Sequence, residues 1–94
     1  LVLVFSEFGR RVKRNASNGT DHGTAGNVWL LGGGLRTAGV FNELPSLSDL
    51  DANGDLKHSV DFRSIYAAVL RDWLGVGLAP IMPALVNPIN GLFV

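Results

Sequence analysis

Leu1-Val2-Leu3-Val4-Phe5 (LVLVF) is a continuous apolar run at the head of a 94-residue chain, and its reading decides the fold. A run with no polar break fits a strand covered on both faces, as the parallel strands of α/β sheets are. With no turn or cap ahead of it, the run is expected to lie inside a larger α/β protein. Residues 1–94 are then one partial domain, the C-terminal part of that protein, with the rest of its own chain as first partner. A second apolar strand is expected at Asn27 to Leu31 (NVWLL), stopped by Gly32-Gly33-Gly34 and their tolerance of positive φ. A third extended piece is expected over Ala38 to Phe41. Between the first two strands lie Ser6-Glu7-Phe8-Gly9, the basic cluster Arg10-Arg11-Val12-Lys13-Arg14, and a polar, glycine-rich loop from Asn15 to Gly26.

The second half of the chain reads differently. Pro45 to Leu50 and Asp55 to Ser59 flank Asn53-Gly54, the dipeptide suited to a type I′ turn, which predicts a β-hairpin with exposed strands. Asp61 is a natural N-cap. After it, Phe62, Ile65, Tyr66, Val69, Leu70 and Trp73 fall at helical spacing and form one apolar face, so a single amphipathic helix is predicted, its stripe buried and Arg63, Ser64, Arg71 and Asp72 outside. Gly75 sits where a left-handed residue ends a helix. Pro80, Pro83 and Pro88 exclude regular structure from the tail, residues 76–94, which is expected to be irregular.

Composition excludes several functions. Eight basic and eight acidic side chains give a net charge of zero, so the whole chain carries no field that recruits nucleic acid or an anionic membrane. There is no cysteine, hence no disulfide and no thiolate metal site. No apolar run reaches the ~20 residues of a membrane span. Arg10-Arg11 does not begin an export signal either, because Asn15 to Asn27 is polar where such a signal needs an apolar segment.

Chemistry-bearing residues gather in the first third. Glu7 at the end of the first strand, and Asp21-His22 in the loop after it, are the carboxylate and imidazole donors that divalent cations accept. Open α/β sheets bind ligands at the carboxyl ends of their strands, where Glu7 and His22 are expected to converge. Arg10 is a candidate anion clamp by its planar fork of donors. Arg11, Lys13 and Arg14 read as a solvated basic face. Asp49-Leu50-Asp51-Ala52-Asn53-Gly54-Asp55 mimics the start of a calcium loop but has Val60 where the closing glutamate belongs. His58 alternates with Leu56 and Val60 and is expected half-buried on the hairpin.

The segments LVLVFSEFGRR, GTDHGTAG, NVWLLGGGL and DLDANGDLKHSVDFRSIYAAVLRDWLG together resemble the C-terminal region of bacterial proteins called domain of unknown function 1501. Those proteins are similar in turn to the alkaline phosphatase and sulfatase superfamily, and the resemblance covers Leu1 to about Gly75. It implies an alkaline-phosphatase-like α/β fold and a periplasmic or extracytoplasmic location. It also implies a divalent metal (zinc, calcium or manganese) held by Glu7, Asp21 and His22, with Arg10 on the substrate. Glu7 then stands for the aspartate of the superfamily's first Asp-His pair and His22 for the downstream histidine. Phe8 stands where the pair's own histidine would be, and phenylalanine cannot coordinate. An alternative alignment makes Asp21-His22 itself the pair, and the residues leave both open.

Two functions follow as expectations. One is the C-terminal part of a metal-dependent hydrolase of small phosphate or sulfate esters, inactive as a fragment because the nucleophile lies upstream. The other is a non-catalytic member of the fold that binds a partner or polyanion through the basic segment Arg10 to Arg14.

Overall fold

In a computed structural model, residues 1–82 and 86–94 are described. Among the described residues the chain is mixed α/β, with four strands in two small antiparallel sheets and one helix. It divides into two compact units: residues 1–32 with 43–59, and residues 33–42 with 60–94.

In the first unit, β1 (Val2–Val4) pairs antiparallel with β4 (Trp29–Leu31), Val2 opposite Leu31 and Val4 opposite Trp29. The expected parallel strand is therefore corrected. A continuous apolar run says what covers the faces of a strand but not which way its neighbour runs, and a parallel neighbour needs a crossover that the intervening hairpin is not. Alternation puts Val2, Val4, Trp29 and Leu31 on one face of this sheet, and that face is exposed.

Inside the β1–β4 connection lies that hairpin, β2 (Gly9–Arg14) with β3 (Thr20–Gly23). The polar loop expected over Asn15 to Gly26 thus contains a strand. Its turn is closed by Asn15 N–H donating to Gly19 O at 2.8 Å, while Asn15 Oδ1 accepts from Ser17 and Gly19 N–H.

The expected hairpin over Pro45 to Ser59 shrinks to one bridge, Leu50 with Leu56. Its turn is not type I′, because only Gly54 has positive φ whereas a I′ turn needs it at Asn53 as well. Gly54 N–H instead donates to Asp51 O at 3.0 Å, and Asp51 Oδ1 accepts from Asn53 and Asp55 N–H, both at 2.9 Å. A short polar side chain that bonds its own backbone outcompetes the tighter turn here. Ala38 to Phe41, expected to be extended, belongs to no strand.

The second unit is built on α1 (Phe62–Ala68), which runs on into a π-helical stretch, Val69–Trp73. Asp61 caps it as the sequence requires, its carboxylate accepting from Arg63 N–H at 2.8 Å. Gly75 ends it at φ 65°. The expected stripe is only partly covered: Phe62 and Trp73 are exposed and Ile65, Tyr66, Val69 and Leu70 half-buried, while Ala67 and Ala68 are fully buried. Where a neighbour approaches closely, the smallest side chains meet it, and period alone does not find them.

Leu92 and Phe93 complete this core. The tail is accordingly less irregular at its end than expected. Leu35 bridges Phe93, Arg36 N–H donates to Leu92 O at 2.9 Å and Val94 N–H to Gly34 O at 3.0 Å. Trp73 tilts against Phe93 with ring centroids 5.7 Å apart. Gly34 gives Trp73 its room, since a Cβ there would run into the indole ring. None of Gly32, Gly33 and Gly34 has positive φ, so the triplet does not act by left-handed backbone, and of the three only Gly34 is required by its small size. Pro83 lies outside the described residues.

Candidate functional site

Each sequence-derived site residue except Glu7 lies on the β2–β3 hairpin. Register places Arg10 opposite His22, so their side chains share a face, and Phe8, two residues before Arg10, joins them there. The Phe8 and His22 rings stack with centroids 3.5 Å apart and planes 11° from parallel. The Arg10 guanidinium lies 5.2 Å from the Phe8 ring centroid, within cation–π range. Arg10 Nη1 also donates to Thr20 O at 2.7 Å, so the exposed guanidinium is fixed at one end.

Asp21 goes the other way. Neighbours in a strand project to opposite faces, so the carboxylate of Asp21 and the imidazole of His22 do not serve one site from β3. Asp21 Oδ1 accepts from Asn15 Nδ2 at 3.0 Å. Glu7 is exposed in the bend between β1 and β2, and the ring next to His22 is Phe8. As donors, two carboxylates and an imidazole suit zinc or manganese, but their arrangement does not: among the described residues no three His, Cys, Asp or Glu side chains are grouped to hold a metal ion. Calcium has no better seat in the Asp49–Asp55 turn. There Asp51 is used by backbone N–H groups, Asp49 pairs with Lys57 at 2.8 Å and Asp55 faces Arg11.

The hairpin is irregular at its centre. Between Arg10 opposite His22 and Arg14 opposite Thr20 the strands slip out of register, so β2 carries Arg11, Val12 and Lys13 against the single residue Asp21. Such a bulge breaks alternation and re-aims side chains. Arg11, Lys13, Arg14, Asn15, Ala16 and Asp21 line an open concavity of about 290 Å³. Not all of the cluster is the solvated face expected from sequence. Arg11 Nε sits 3.3 Å from Asp55 Oδ1, both atoms withdrawn from water, in an ion pair without hydrogen-bond alignment. His58, expected half-buried, is exposed beside a second concavity of about 360 Å³ with Thr24, Asp51, Leu56 and Lys57.

The Phe8–His22–Arg10 cluster was beyond sequence reasoning. Its one available signal was the i, i+2 spacing of Phe8 and Arg10, which means a shared face only once β2 is known to be a strand. Among the described residues no helix is long and apolar enough to cross a membrane. Comparison with curated proteins and with solved structures gives no match. A family model matches residues 1–80, and on that match the chain belongs to the family described as Protein of unknown function (DUF1501).

Proposed function

We propose that this chain is part of a protein that binds small phosphate or sulfate esters, with the β2–β3 hairpin as its oxyanion-binding element and Arg10 as the anion clamp. The observation that carries this reading is the fixed guanidinium: Arg10 is held by Thr20 O at 2.7 Å and by the Phe8 ring, and it is exposed. A guanidinium anchored through one nitrogen keeps its other N–H donors for a tetrahedral oxyanion, and little side-chain freedom is lost when it binds.

Hydrolysis of the ester is the further step, proposed from the resemblance to the alkaline phosphatase and sulfatase superfamily. In that step the nucleophile and further acidic groups come from upstream of Leu1, and residues 1–94 are inactive alone. The same resemblance assigns Glu7, Asp21 and His22 to a divalent metal. Asp21 and His22 project to opposite faces of β3 and Glu7 lies in the bend before the hairpin, which gives that assignment no support, so no part of the reading runs through a metal. The test is binding and turnover of phenyl phosphate and phenyl sulfate by the full-length protein. Arg10→Ala should weaken ester binding about tenfold, the weight of a charge-assisted hydrogen bond. An Arg10→Ala protein that binds and turns over both esters like the wild type rejects the clamp.

A second reading is a non-catalytic member of the fold that binds a partner or polyanion. Phe8 favours it, since a ring stacked on His22 occupies the place that the resemblance gives to a metal-ligating histidine. Turnover of neither ester, with binding retained, would select this reading.

A further inference from the structure

The concavity at the β2 bulge is separate from the Arg10 cluster and has its own chemistry. In a regular strand Lys13 and Arg14 would point to opposite faces. The slipped register between Arg10 and Arg14 removes that constraint, and both side chains line one hollow together with Arg11 and Asn15. Arg11 is committed to Asp55. That leaves Lys13 and Arg14, among the described residues, as cations without an ion pair in a region where the one acidic lining residue, Asp21, is held aside by Asn15 Nδ2 at 3.0 Å. Asn15 is itself fixed, its Oδ1 accepting from two turn N–H groups. The hollow, of about 290 Å³, has room for one oxyanion with a small organic substituent.

We infer that this concavity is a second anion site, for phosphate or sulfate, free or as the head of a small ester, bound by Lys13 and Arg14. Asp21 opposes the ligand and sets its affinity: its carboxylate lines the same concavity and repels the anion, so the site binds weakly and becomes tighter when that charge is removed. This assignment stands whether or not Arg10 clamps an ester, because the two groups of residues share no member.

Lys13 and Lys57 are the only lysines of the chain, which gives the test an internal control. The full-length protein is treated with an amine-reactive ester in the presence of rising inorganic phosphate, sulfate or phenyl phosphate, with chloride at matched ionic strength as reference, and each lysine is read by mass spectrometry. Phosphate or sulfate should protect Lys13 saturably and leave Lys57, paired with Asp49, unchanged. Arg14→Gln should raise the half-protecting concentration about tenfold, Asp21→Asn should lower it several-fold, and Arg10→Ala should leave it alone. Protection of Lys13 no better than chloride gives overturns the site, and so does an Asp21→Asn change that weakens protection. Loss of protection on Arg10→Ala transfers the anion to the Arg10 cluster and also overturns it.

Discussion

At the scale of residues, the charged pairs of this chain differ in how far they are withdrawn from water. Arg11 Nε and Asp55 Oδ1 face each other at 3.3 Å with side chains 32% and 13% exposed, joining β2 to the Asp51–Asp55 turn. Removing one partner leaves the other charge half-buried and unpaired, which costs more than the pair gains by existing. Asp55→Ala should therefore destabilise the protein by about 1–3 kcal/mol in denaturant titrations, after allowance for the exposure of Arg11. Arg71 and Asp72 form the opposite case, an exposed adjacent pair in which Arg71 Nη2 donates to Asp72 Oδ2 at 2.7 Å. Hydrogen bonding from Arg71, opposed by desolvation and assisted to a lesser extent by the Arg71 charge, holds the Asp72 carboxyl below its ordinary value. A lowered folded-state value means that the stabilisation is present above the unfolded value of about 4 and is lost as pH falls through the folded one. Stability measured from pH 6 down to about 2 should thus fall less steeply in Asp72→Asn than in the wild type.

At the scale of elements, the helix was legible and the hairpin was not. Asp61, the apolar period from Phe62 to Trp73 and Gly75 are local signals that agree with one another, and the helix begins and ends where they say. Strand β3, Thr20-Asp21-His22-Gly23, carries no aliphatic residue to alternate, so it reads as a polar loop although its backbone pairs with β2. For the candidate site this had a direct consequence. The residue types Asp21, His22 and Arg10 were visible in the sequence, but which of them share a face depends on strand alternation and on a bulge that leaves no compositional trace. Burial departs from the helical period for a related reason. Helical period picks out large apolar residues, whereas the closest packing falls on Ala67 and Ala68 and, across from Trp73, on Gly34. Gly34→Ala should cost about 1–3 kcal/mol by forcing Trp73 off its position against Phe93, with a matching change in tryptophan fluorescence.

At the scale of the molecule, a neutral chain concentrates its positive charge in one element. Four of its eight basic residues are Arg10, Arg11, Lys13 and Arg14, all on β2, which itself carries no acidic residue. Net charge alone excludes wide-range attraction of polyanions but says nothing of a local field, which at physiological salt extends about 8 Å from its source. That distance suits a small phosphate or sulfate ester. It fits both the ester-binding role proposed for Arg10 and the weaker site proposed at the bulge. The most direct measurement of that claim is calorimetric titration of the full-length protein with phenyl phosphate and phenyl sulfate, for wild type and Arg10→Ala. Saturable binding of at least one ester that weakens about tenfold on Arg10→Ala is the result expected. Absence of binding by the wild type, or binding indifferent to Arg10, would contradict the account.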